Sequence, residues 1–147
     1  MSEASGMSLL EVLMVLALIA ILAGTSVLHH QAMRPGLDLS IAARQVVMDL
    51  KVARMRAVAE NVNHRIVFPS GAERYQHQRK NGTAYVDDGP SVPLPRGIIV
   101  GDCTAADNGI SFRPRGNAAA FGTVTIRNAR GDARHIVVDI AGQVRVQ

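Results

Sequence analysis

From Leu9 to Leu28 the chain is apolar or small at almost every position, with Glu11 as the one charged residue. As a helix rising 1.5 Å per residue, this run matches the roughly 30 Å hydrocarbon core of a bilayer. His29, His30 and Gln31 end it, and Pro35-Gly36 predicts a kink. A second helical pattern follows. Leu39, Ala43, Val46, Leu50, Ala53 and Ala57 recur at three- and four-residue spacing and form one stripe. Asp38 or Ser40 is suited to cap its start. Arg44, Lys51 and Arg54 fall mainly on the other side, which reads as a solvated face.

From His64 the texture changes to short alternating or β-branched runs separated by turn residues. HRIVF is a strand ended by Pro69-Ser70-Gly71, and Asn81-Gly82 marks a hairpin between ERYQHQRK and TAYV. DDGPSVPLPRG is loop. GIIVGD, ISFRP, GTVTIRN, ARHIVVD and QVRVQ read as further strands, the last three as an antiparallel meander. In that meander Val124, Ile126, Ile136, Val138, Val144 and Val146 point inward, while Thr125, Arg127, Gln143 and Arg145 point outward. The order predicts an α+β fold, a long amino-terminal helix packed on a carboxy-terminal antiparallel sheet. Its segments are 1–6 as leader, 7–28 as membrane-spanning and assembly helix, 29–62 as the second half of the helix, and 63–147 as a β-rich domain.

An acid inside a membrane helix costs roughly 2.5–3.5 kcal/mol on insertion scales, so Glu11 requires a reason. A secretory signal would have a basic start and a shorter apolar core, whereas the leader MSEASG has no Lys or Arg. An uncleaved anchor leaves Glu11 unexplained. A cut between Gly6 and Met7 supplies an explanation. The new ammonium on Met7 lies about one helical turn from Glu11, or within reach of it between neighbouring chains, and the acid faces the positive end of the helix dipole.

Gly6 followed by Met-Ser-Leu-Leu-Glu and a long apolar helix resembles the prepilin motif of type IV pilins and type II secretion pseudopilins. The resemblance implies cleavage after Gly6 by a prepilin peptidase and N-methylation of Met7. It also implies a role for Glu11 in assembly with other pilins. The usual first residue is Phe rather than Met7, and the usual basic leader is replaced by one carrying Glu3, which removes the expected positive-inside bias. Phe112-Arg113-Pro114-Arg115-Gly116 and Gly142-Gln143-Val144-Arg145 resemble the Phe-x-Pro-x-Gly turn and terminal Gly-x-x-Arg strand of the GspH/FimT-like minor pseudopilins. That subgroup implies a single-pass inner-membrane protein with a periplasmic carboxy-terminal domain, which enters a filament or tip complex on assembly.

Charge adds a second reading. The net charge is +4, and residues 110–147 hold all of the excess: Arg113, Arg115, Arg127, Arg130, Arg134 and Arg145 against Asp132 and Asp139. Some members of the subgroup bind DNA through a terminal Gly-Arg-x-Arg motif. Here Arg145 matches the second arginine and Gln143 stands where the first would be, with Arg127, Arg130 and Arg134 as candidate compensators. Aromatic residues make up 3 % of the chain, too few for base stacking, so any double-stranded DNA would be held through its phosphates. The other reading of these arginines is a solubilising sheet face or a contact with neighbouring pilins.

Other candidate chemistry is sparse. Arg130-Gly131-Asp132 is an adhesion tripeptide and also good turn chemistry. No nucleophile–base spacing, phosphate loop or metal motif stands out, so neither an enzyme nor a cofactor or metal is expected. His29-His30 has no further ligand nearby and reads as a membrane–water boundary. The single cysteine, Cys103, allows no intrachain disulfide and reads as a buried thiol.

Overall fold

The computed structural model describes the backbone from Leu9 onward, and side chains for residues 9–22 and 36–147. Gly6, Met7, His29 and His30, singled out above, lie outside the described side chains. Two compact units divide the chain, residues 1–34 and 35–147, and each is described by itself.

Helix α1 covers Leu9–Glu60. Its described first part, Leu9–Leu22, is exposed on every side. Among the described residues no helix is long and apolar enough to cross a membrane, the described side chains of the apolar run stopping at Leu22. In the second unit the expected stripe is the buried one: Leu39, Ala43, Val46, Leu50, Ala53 and Ala57 are all within the core, joined by Ala42. Ser40 does not cap a helix start. Its hydroxyl donates to the Gly36 carbonyl four residues back, as inside a continuing helix. The helix ends at Asn61, whose φ of 54° is the left-handed conformation that closes helices and that asparagine tolerates.

Nine strands follow: β1 His64–Val67, β2 Arg74–Asn81, β3 Ala84–Asp87, β4 Val92–Pro93, β5 Ile98–Cys103, β6 Gly109–Phe112, β7 Gly122–Asn128, β8 Ala133–Val138 and β9 Val144–Val146. They form two antiparallel sheets. One has the order β3-β2-β1-β6, with β4 also on β2; the other has the order β5-β7-β8-β9. The expected hairpin at Asn81-Gly82 is β2–β3, paired from Asn81↔Ala84 to Gln78↔Asp87. The expected meander is β7–β8–β9, with Val124 opposite Ile136 and Val138 opposite Val144.

One buried cluster joins the helix stripe to the inner faces of both sheets. Ile66, Tyr75, Ile110 and Phe112 come from the first sheet, and Ile98, Val100, Val124, Ile126, Ile136 and Val138 from the second. Burying each aliphatic or Phe side chain contributes about 1.5–3 kcal/mol, so this cluster, with Phe68, Tyr75 and Phe112 as its largest members, fixes the helix on the sheets.

Candidate functional site

Two regions carry the residues singled out from the sequence. The first is the start of α1. Glu11 lies in its first turn, exposed, among Leu9, Leu10, Val12 and Leu13, which are exposed as well. A helix that is apolar all round belongs in lipid or among other helices, and here it has no cover from its own chain among the described residues.

The second is the carboxy-terminal motif. Phe112 is fully buried and the following residues turn back on themselves: Gly116 N–H donates to Arg113 O at 2.8 Å, and Arg113 N–H to Asn117 O at 2.9 Å. The Gly116 carbonyl, at the end of this turn, accepts from Arg54 Nε on α1 at 2.7 Å. Gly142, with φ of 78°, packs directly on that same Gly116 carbonyl, and a Cβ there would collide with it. The two glycines and Arg54 therefore form a clamp between helix, turn and last hairpin. Arg54, expected on the outer face of the helix, is half-buried in this clamp.

The arginines do not form one cluster. Register puts Arg127, Ala133, His135, Val137 and Arg145 on the outer face of the second sheet. Arg134 pairs with the buried Ile126 and so belongs to the opposite face, at its exposed edge. Arg127 lies across Gly101 on β5. Arg145 Nη2 donates to Gln143 Oε1 at 3.0 Å, so Gln143 tethers the arginine it flanks. Thr125, expected to point to solvent, is on the outer face yet buried, its hydroxyl 3.1 Å from His135 Nδ1. Arg130-Gly131-Asp132 is a hairpin turn: Asn128 Oδ1 accepts from the amides of Arg130 and Asp132, and Asn128 Nδ2 donates to Asp132 Oδ2.

Sequence reasoning missed a polar seam between helix and sheet. The Tyr75 hydroxyl donates to Asp49, Gln45 Nε2 donates to Tyr75 and to Pro93 O, and His77 Nε2 lies 3.6 Å from Asp49. Burial, with the Asp49 hydrogen bond second, pushes the Tyr75 phenol well above its ordinary range. Further along, His64 is buried between Glu60 at 3.1 Å and Asp88 at 3.8 Å, while Arg56 pairs with Asp88 at 2.9 Å. The two carboxylates meet opposite nitrogens of the imidazole, and no group of three ligands converges among the described residues. Cys103 is buried, and desolvation raises its thiol above the ordinary value.

A long helix laid on antiparallel sheets, closed by a turn-and-hairpin clamp, is the pilin-type α+β fold. Solved structures agree. A structure of the minor pseudopilin EpsH from the type 2 secretion system of Vibrio cholerae superposes with a TM-score of 0.62 at 11 % identity, covering 75 % of this chain and 96 % of that one. A crystal structure of the type IV minor pilin FimU of Pseudomonas aeruginosa superposes at 0.61 and 16 % identity, covering 74 % and 87 %. A sequence comparison with curated proteins returns no match. The family model described as type II transport protein GspH matches residues 42–142, most of the chain. The chain belongs to that family, and its fold is the one these minor pseudopilin and minor pilin structures share. The DNA-receptor reading draws no support from these comparisons.

Proposed function

We propose that the chain is a non-enzymatic assembly subunit, held in the inner membrane by its amino-terminal helix and then drawn into a bundle of pilin helices. A type IV pilus and a type II secretion pseudopilus use the same amino-terminal chemistry. The observation that carries the proposal is a helix start exposed and apolar on all sides, interrupted by one carboxylate, on a GspH-family domain. Cleavage between Gly6 and Met7, with methylation of Met7, leaves an ammonium for a neighbouring subunit's Glu11 to meet. In low dielectric that pair offsets part of its desolvation cost and fixes axial register, the use for which buried ion pairs are best attested. The domain from residue 63 then faces the periplasm, or the exterior once assembled.

The test is Glu11→Ala in cells. Membrane fractionation should show the chain inserted as well as before, while the sheared filament fraction loses it. Normal incorporation of Glu11→Ala would refute the pairing.

A further inference from the structure

The outer face of α1 in the second unit is not the solvated face its charges suggested. Leu37, Ile41, Arg44, Met48, Lys51, Met55 and Val58 follow one another at alternating spacings of four and three residues. All are exposed, the five apolar ones by 53–62 %. Four-three spacing is the seam of a left-handed helix pair, in which side chains of each helix insert between those of the other. The helix thus carries two stripes on opposite sides. One is covered by the sheets; the other has no cover from this chain among the described residues.

The charge on the seam selects what covers it. Arg44 and Lys51 sit within it and Arg115 beside it, and none of these three side chains makes a hydrogen bond or ion pair among the described residues. The acids of this stretch, Asp38, Asp49 and Glu60, lie off the seam; Asp49 is engaged by Tyr75 and Glu60 by His64. At the carboxy-terminal end the seam opens into a groove of about 540 Å³ between Lys51, Met55 and Val58 on the helix and Arg115 and Gly116 on the turn, with Arg54 at its side. Its lining sets the apolar Met55, Val58 and Ala59 among the cationic Lys51, Arg54 and Arg115.

A second copy of this chain does not satisfy the seam. Parallel in-register pairing sets Arg44 against Arg44 and Lys51 against Lys51. Antiparallel pairing places two Arg44 and two Lys51 side chains in one seam, with no acid on it in any register. Either arrangement brings like charges together in a desolvating interface. We infer that this seam binds an acidic amphipathic helix of a non-identical pilin-class subunit, making the second half of α1 a heterotypic docking surface. The inference rests on the assembly proposal above and names the partner for it.

The experiment places a photo-crosslinking phenylalanine analogue at Met48 of the full chain in its own cells, and follows filament incorporation in parallel. The expected adduct joins the chain to a different pilin-class subunit, through a helical peptide with Asp or Glu at three- and four-residue spacing. Arg44→Glu with Lys51→Glu should lower the adduct roughly tenfold, and changing the partner's linked acids to lysine should restore it. An adduct of two copies of this chain, a link to a β domain, or no adduct while the chain is present in filaments would overturn the inference and leave the assembly proposal standing. Absence of the chain from filaments would overturn both.

Discussion

Replacing Gly142 with alanine tests the clamp most sharply. Alanine in the left-handed conformation that Gly142 adopts costs about 1–2 kcal/mol. Its Cβ also displaces the Gly116 carbonyl, and with it the 2.7 Å hydrogen bond from Arg54. A hydrogen bond to a charged group is worth about 1.5–3 kcal/mol, so the total loss is about 2.5–5 kcal/mol. Gly131→Ala provides the control. Gly131 also has positive φ, but nothing lies within 4 Å of a Cβ built there, so it should lose only the backbone part, about 1–2 kcal/mol. Urea unfolding of the detergent-solubilised full chain, followed by tyrosine fluorescence, reads both. The Gly142→Ala midpoint should fall further than that of Gly131→Ala, by about 1 M at ordinary urea slopes. Equal shifts would mean that the approach of Gly142 to Gly116 contributes nothing.

Arg54→Met keeps the aliphatic stem and removes the donor to Gly116 O; it should cost about 1.5–3 kcal/mol in the same assay, and adding Gly142→Ala to it should cost less than the sum. Tyr75 stays protonated in the folded chain at pH values where an unfolded tyrosine, with its pKa near 10, has ionised. The unfolded state then binds fewer protons, so stability should fall as pH rises above about 10, and Tyr75→Phe should flatten that slope in urea titrations at pH 9 and 11. Buried and with its thiol pKa raised, Cys103 should resist iodoacetamide in the native chain at neutral pH and react fully in urea; rapid native alkylation would contradict its burial.

Patterns that one periodicity encodes were legible in the sequence. The buried stripe from Leu39 to Ala57, the Asn81-Gly82 hairpin and the β7–β8–β9 meander all follow from spacing and turn chemistry, because each is local. What pairs at a distance was not. That β5 lies beside β7 and β6 beside β1, dividing the strands between two sheets, depends on core closure rather than on neighbouring residues. The two-residue strand β4 lay hidden because it sits in a proline-rich loop and has no room for alternation. The outer seam of α1 was missed because the buried stripe claimed the helical period first; Arg44 and Lys51 then made the remaining face look solvated. Of the candidate site, Glu11 stood out because it is anomalous where it lies. The clamp did not, because Arg54, Gly116 and Gly142 meet only in the folded chain.

Whether this chain is processed and assembled as a pilin-class subunit is read from the intact mass of the protein extracted from membranes. The predicted mass is that of residues 7–147 with one added methyl group, with fragmentation placing the methyl on the amino group of Met7. A chain that retains Met1–Gly6, or one cut near Ala23–Ser26 by a signal peptidase, would contradict it.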